Sequence, residues 1–239
     1  MITRSTVNGR PVATKRTAYD ARLEADGLQR LARAGAPVPE VLAADRDELV
    51  MEWVSGSPDW EALGAALASV HRTTAEAFGY DCDNVIGSLP QSNPWTPSWG
   101  EFVAENRVRI HLSDPAVPAP VRHRLEAASR GPLPTLLDEH RPVPSLIHGD
   151  LWSGNIVDGS FLIDPAVSFS DREVELAFMA VFGGIPQAMW NGYLDTWPLA
   201  DGWERRRPAL QLHHLLVHVR IFGGGYVRMV EDRLDRLGW

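Results

Sequence analysis

The stretch His148-Gly149-Asp150-Leu151-Trp152-Ser153-Gly154-Asn155, followed nine residues later by Asp164 within Phe161-Leu162-Ile163-Asp164-Pro165, decides the reading of this chain. Its residue types are those a phosphoryl-transfer site requires. Asp150 is placed to orient and deprotonate a substrate hydroxyl, while Asn155 and Asp164 offer hard oxygen ligands for Mg²⁺ on a nucleotide triphosphate. Between them, Ile156-Val157 and Phe161-Leu162-Ile163 flank Asp158-Gly159-Ser160, a turn composition that predicts a hairpin. If Val157 faces Phe161, residue 155 lies opposite 163 and Asp164 follows one step on, so both metal ligands meet at the open end. The apolar run Ser145-Leu146-Ile147 delivers His148 and Asp150 to the same end. Asp, Asn and Gly are common in turns for backbone reasons alone, and an isolated Asp-x-x-x-x-Asn is an ordinary loop feature. The coincidence of octapeptide, hairpin and second Asp separates this stretch from that bland alternative.

Upstream of it, Ile2 to Val7 and Val12 to Arg16 flank Asn8-Gly9, a hairpin signal that puts Lys15 on the second strand. A helix is expected from about Asp20 to Ala34, stopped by Gly35, and it carries Glu24. A strand Lys and a Glu on the next helix form the ion pair that sets Lys against nucleotide phosphates in kinase-like folds. Most Lys and Glu residues are solvated surface charges, so Lys15 and Glu24 draw their meaning from Asp150, Asn155 and Asp164. Glu48 to Val54 reads as a further strand running into Ser55-Gly56-Ser57-Pro58. In a two-lobed kinase this is the hinge, where adenine would meet the backbone of Glu52, Trp53 and Val54.

Downstream of that hinge the pattern turns helical. Trp60, Leu63, Leu67, Val70 and Thr74 follow three- and four-residue steps behind Ser57 or Asp59 as cap, with His71 read as a packed or capping residue. Residues 84–99 read as a loop rich in Asn, Pro, Gly, Ser and Trp. Helices are expected over Trp99 to Ile110, Val121 to Ser129, Arg172 to Phe182, Pro208 to Phe222 and Tyr226 to Leu237, with a Pro-rich interruption at Pro115 to Pro120. The fold class is therefore α+β, two-lobed and protein-kinase-like. Residues 1–54 would be a short nucleotide-binding lobe and residues 55–239 a mostly helical catalytic and substrate-binding lobe.

Composition narrows the function. The chain has 239 residues, 44% hydrophobic and 23% charged, with a net charge of −8, and its pI is near 5.5. Such a balance argues against broad binding to nucleic acid or to an anionic membrane. One cysteine, Cys82, permits no internal disulfide and no Cys-based zinc cluster, which fits a reducing compartment. Neither a signal-peptide core nor a membrane-length apolar run is present in the sequence, so a cytoplasmic protein, read as a monomer, is expected.

With these residues in place the chain resembles the fructosamine kinase (ketosamine-3-kinase) family, within the protein-kinase-like and aminoglycoside-phosphotransferase-like group. Trp152-Ser153-Gly154-Asn155 looks like the family's catalytic loop, and Ile163-Asp164-Pro165-Ala166 with Arg172-Glu173 like its metal-binding segment. Gly87 through Gln91-Ser92-Asn93, Trp99 with Phe102 and Arg107, and Leu216-Val217-His218 through Phe222-Gly223-Gly224-Gly225-Tyr226 are similar as well, so the resemblance runs from about residue 2 to 230. It implies ATP-dependent, Mg²⁺-assisted phosphorylation of the sugar 3-hydroxyl of a ketosamine, free or on a protein lysine, and hence deglycation. Carried over, Asp150 is the catalytic base, Asn155 and Asp164 bind the metal, Lys15 contacts phosphates with Glu24 as partner, and His148 organises the loop. Trp152 is open to two roles, stacking on the sugar or packing beside the loop.

Two departures from the family pattern are visible. Only about eleven residues precede the strand bearing Lys15, so a shortened N-terminal lobe with less cover over the phosphates is expected. Glu175 stands where the family more often has Asp in Arg-Glu-x-Asp. Two other functions stay compatible with the same residues: a kinase for another small hydroxyl substrate (aminoglycoside, choline-like alcohol or sugar), and a nucleotide-binding pseudokinase.

Overall fold

The computed structural model describes residues 2–239, and Met1, included in the expected N-terminal lobe, lies outside the described residues. Ile2–Val7 (β1) and Arg10–Arg16 (β2) form the first hairpin, in register from Ile2 opposite Lys15 to Val7 opposite Arg10. Asn8 and Gly9 supply the positive φ values, 50° and 80°, that a two-residue turn of this hand needs. Helix α1 (Ala21–Arg33) begins as the Asp20 side chain caps the amide of Arg22. Two more strands, Val41–Ala44 (β3) and Glu48–Glu52 (β4), complete an antiparallel sheet of order β1-β2-β4-β3. β3 was not expected; its Leu42 and Ala43 are exposed, so the strand lacks a strong apolar signature. One face of the sheet closes on α1 through Ala13, Ala21, Ala25, Leu28, Leu49 and Met51.

After the connector comes α2 (Trp60–His71), capped by Asp59, and then a segment whose sequence reads as loop but which contains the hairpin Asn84–Ile86 (β5) and Leu89–Gln91 (β6). Trp99–Val103 (α3) continues as wider and then tighter helical turns to His111, so the expected helix is present but irregular. Ala119–Ser129 (α4) starts inside the Pro-rich interruption, and Pro132–Asp138 (α5) was not expected. Ser145–Ile147 (β7), Ile156–Val157 (β8), Phe161–Leu162 (β9) and Ser168–Ser170 (β10) frame the segment that carries His148, Asp150, Asn155 and Asp164. The remainder is helical: Arg172–Met179 (α6), Gln187–Thr196 (α7), Trp203–Leu210 (α8), Leu212–Phe222 (α9) and Val227–Leu237 (α10). The run expected as one helix from Pro208 is two, because Pro208 lies inside α8 and the chain turns at Gln211.

The large core lies among α2 to α10, with Leu67, Phe102, Leu125, Leu137, Leu176 and Leu216 all buried in it. A smaller cluster joins α1 to that region, since Leu31 packs with Val70, Leu146, Val167 and Phe169. α1 therefore ties the sheet to β7 and β10, the strands that flank the segment from His148 to Asp164. No helix among the described residues is long and apolar enough to cross a membrane.

Candidate active site

Asp150 reaches its position through local constraints. β7 pairs antiparallel with β10, Ile147 opposite Ser168, and brings His148 to the sheet end. There the chain turns through Gly149 at φ +87°, where a Cβ would stand 2.0 Å from the carbonyl oxygen of Ala166, so only glycine fits. The His148 imidazole closes the turn, with Nε2 2.9 Å from the carbonyl oxygen of Ile163 and Nδ1 accepting the Asp150 amide at 3.3 Å. Beneath it, the Glu175 carboxylate accepts the amides of His148 (3.1 Å) and Gly149 (2.7 Å).

Glu175 is itself held from behind. His71 Nε2 lies 2.8 Å from Glu175 Oε2, His71 Nδ1 lies 2.8 Å from the Tyr193 hydroxyl, and Arg172 donates to that hydroxyl at 3.0 Å. Burial alone would raise the Glu175 carboxyl; His71, His148 and the loop amides outweigh it and hold the group below its usual range. His71 is thus packed, as its place on the apolar helix face predicts, and it also supports the loop. A helix-face histidine carries no sequence signal of such a partner.

The β8–β9 hairpin has the expected register, Val157 opposite Phe161 and Ile156 opposite Leu162. The Ile163 amide bonds the Asn155 carbonyl oxygen at 3.1 Å, which sets Asn155 and Asp164 side by side. Asn155 donates from Nδ2 to the Asp150 carbonyl oxygen at 2.8 Å and to Asp150 Oδ2 at 3.3 Å, so its amide orientation is fixed. Asp164 sits at φ +57°, a left-handed conformation that Asp tolerates better than most residues. From the sheet side, Lys15 Nζ lies 2.7 Å from Glu24 Oε2 and 3.0 Å from Asp164 Oδ1. Tyr19 donates to the same Glu24 oxygen at 2.7 Å. Burial disfavours the Lys15 charge, but Glu24 and Asp164 outweigh it and keep the ammonium protonated well above the usual range.

Lys15, Tyr19, Glu24, Asp150, Asn155 and Asp164 line one cavity of about 370 Å³. Burial, with the nearby charges of Asp164 and Glu175 adding to it, pushes the Asp150 carboxyl up to about 7, although the Asn155 hydrogen bond pulls the other way. Opposite these polar groups the wall is largely apolar: Val85, Ile86 and Gly87 from the β5–β6 hairpin, Val217, His218, Ile221 and Phe222 from α9, and Trp152. Apart from Trp152, open to stacking or packing, those wall residues belong to stretches the sequence singles out without giving them a role. Their placement depends on long-range packing. Glu52, Trp53 and Val54 do not line this cavity. The Glu52 amide bonds the Glu40 carbonyl oxygen and the Trp53 amide that of Pro11, which leaves the Val54 amide without a partner among the described residues.

The family model for fructosamine kinase matches residues 12–238. A protein of Synechocystis sp. named as a probable ketoamine kinase is 36% identical over 233 residues, covering 90% of this chain and 75% of that one. Its namesake in Escherichia coli K12 is 37% identical over 227 residues, covering 90% and 79%. A crystallised candidate fructosamine-3-kinase from Thermobifida fusca superposes with a TM-score of 0.89 at 34% identity, covering 99% of this chain and 93% of that one. A choline/ethanolamine kinase family protein from Mesorhizobium loti shares the fold at 15% identity, with a TM-score of 0.62 and coverage of 100% and 87%. The fold is therefore protein-kinase-like, and the chain belongs to the fructosamine kinase family of ATP-dependent phosphotransferases that act on a hydroxyl group.

Proposed function

We propose that the protein phosphorylates the sugar 3-hydroxyl of a ketoamine, a fructosamine or ribulosamine, either free or on a lysine side chain. The observation that carries this reading is the convergence of Asp150, Asn155, Asp164 and the Lys15–Glu24 pair on one cavity, in a chain of this family. Asp150 takes the proton of the acceptor hydroxyl as its oxygen bonds to the γ-phosphorus and ADP departs. Its carboxylate is aimed by the Asn155 amide and by the loop that Glu175 holds. Lys15 exchanges its contact with Asp164 for the nucleotide phosphates while Glu24 keeps it in place. The connector at Glu52 to Val54 takes the adenine, with the Val54 amide as donor.

The donor set fits a magnesium ion. Asp164 Oδ1 is buried with the Lys15 ammonium at 3.0 Å as its one polar contact among the described residues, an ammonium the phosphates would take over, and Asn155, tethered through Nδ2, keeps its amide oxygen for a ligand. Both are hard oxygen donors of the kind Mg²⁺ selects. Bound there, the ion would offset charge developing on the phosphates. Phosphorylation at the 3-hydroxyl labilises the adduct, so the cellular outcome we propose is deglycation.

The test is incubation with Mg-ATP and a synthetic fructosyl- or ribulosyl-amine, followed by phosphorus NMR. A sugar 3-phosphate that disappears in Asp150→Ala supports the reading. Measurable Mg-ATP binding with no product from either amine overturns it.

A further inference from the structure

Five aromatic rings meet beside the Asp150 cavity. The His218 imidazole has Phe182, Tyr226 and Phe222 at ring-centroid distances of 4.9, 5.0 and 5.4 Å, and Trp152 meets Phe182 edge-on at 6.5 Å. Trp152, His218 and Phe222 line the cavity itself. Clustered rings belong in an interior, yet Phe222 is 66% exposed, Trp152 39% and Phe182 38%. A patch of this kind, continuous with a reaction cavity, marks where a ligand covers apolar surface. Gly223, Gly224 and Gly225 join Phe222 to Tyr226, and a Cβ on any of them would have no atom within 4 Å, so this rim is open. His218 adds one polar group to the patch. Its Nδ1 lies 2.7 Å from the His214 carbonyl oxygen and so carries the proton. Burial holds the imidazole below its usual range, and the neutral ring leaves Nε2 as an acceptor with no hydrogen-bond partner among the described residues.

We propose, resting on the ketoamine kinase reading above, that Trp152, Phe182, His218, Phe222 and Tyr226 form the subsite for the amine half of the substrate, and that this half is a small apolar or aromatic amine rather than an amino acid or a protein lysine. The charged residues lining the cavity are Lys15, Glu24, Asp150 and Asp164, all on the side assigned to nucleotide, metal and acceptor hydroxyl. The remainder of an acceptor held at Asp150 therefore lies against the rings. A ketoamine carries a secondary amine, protonated near neutral pH and separated from C3 by two carbons. Its N–H donates to His218 Nε2, and the neighbouring ring faces attract its charge. The group beyond the nitrogen covers Phe222 and Phe182 and takes their apolar surface out of water. The ring wall offers no cation to pair with the carboxylate of an amino-acid adduct, which would lose its hydration there without compensation.

The experiment compares fructosyl-phenethylamine, fructosyl-glycine and a fructosyl-lysine peptide at saturating Mg-ATP. The phenethylamine adduct is expected to show a KM at least about 10-fold below those of the other two. Phe222→Ala, checked for folding by its melting curve, should bring the three KM values to within about threefold of one another. His218→Phe keeps a ring and removes the acceptor, so the KM for the phenethylamine adduct should rise about 10-fold with kcat within about threefold. If Phe222→Ala does not fold, a crystal of the unaltered protein with ADP and fructosyl-phenethylamine locates the phenyl ring, and a ring placed away from Phe222 and Phe182 overturns the subsite. Equal KM values in the wild type, a preference for the glycine or peptide adduct, or a preference unchanged in Phe222→Ala overturns the subsite while the kinase reading stands. No product from any of the three adducts overturns both.

Discussion

Glu175 Oε1 accepts a 2.7 Å hydrogen bond from the amide of Gly149, the residue before Asp150. The contact sets the loop that carries Asp150, and the second Glu175 oxygen is shared between the His148 amide and His71. Glu175→Gln keeps the shape but turns a donor toward one of these groups in a buried site. We expect kcat to fall by about 10²-fold with the KM for Mg-ATP within about threefold, since orientation of the base is lost and phosphate contacts are not. Stability falls by roughly 2–4 kcal/mol. Glu175→Asp, which keeps both acceptors at shorter reach, should lie between wild type and Gln in kcat; a Gln variant with wild-type kcat would remove the loop-holding role.

Lys15 bridges Glu24 and Asp164, and its removal leaves Glu24 buried beside a second carboxylate. Lys15→Met is expected to cost about 3–5 kcal/mol, because a buried charge loses its partner. The double variant Lys15→Met/Glu24→Gln should recover most of that stability and none of the nucleotide affinity. Thermal melts and calorimetric titration with Mg-ATP separate the two effects. Recovery of Mg-ATP binding in the double variant would show that Lys15 does not reach the phosphates.

Gly149→Ala places a methyl group against the Ala166 backbone at a positive φ, where neither side can yield. The left-handed conformation alone costs about 1–2 kcal/mol, and the clash moves either the loop or Pro165-Ala166. Loss of turnover with a fall in Tm is expected, measured by the coupled ATPase assay and by melting.

What was legible beforehand follows a physical rule. The β8–β9 register and the Lys15–Glu24 pair could be read because each rests on short-range geometry, a three-residue turn in one case and a strand leading into a helix in the other. The β5–β6 hairpin was hidden because its anchors are polar. Asn84 donates to the Val167 carbonyl oxygen at 2.8 Å, and Gln91 donates to Asn84 at 3.0 Å, so residues that read as loop are buried by long-range partners. α7 was missed for a related reason. It crosses α2 where Gly64 meets the Met189 carbonyl oxygen and Gly192 that of Glu61, a contact made by small residues that leaves little apolar periodicity. His71, Tyr193 and Glu175 meet only once that crossing exists.

Asp150 ties activity and stability to pH in opposite directions. Its carboxyl is pushed up to about 7 in the folded chain, first by burial and then by Asp164 and Glu175, against an ordinary value of 3.8. Between those values the folded state holds a proton that the unfolded state has released, so this group's contribution is fully present below about 3.8 and lost as pH rises through about 7. Asp150→Asn, which never acquires the charge, should therefore be more stable than wild type at pH 8, by roughly 2–4 kcal/mol, and equal to it near pH 4. Activity runs the other way under the proposed role of Asp150 as base, which requires it ionised: kcat/KM of the wild type should rise tenfold per pH unit on the acid side and level off near pH 7. Melting curves of both proteins across this range, with kcat/KM of the wild type, check both limbs. An acid limb near pH 4 together with no stability gain in Asp150→Asn would mean that the carboxylate is solvated, and burial would not then be what tunes the base.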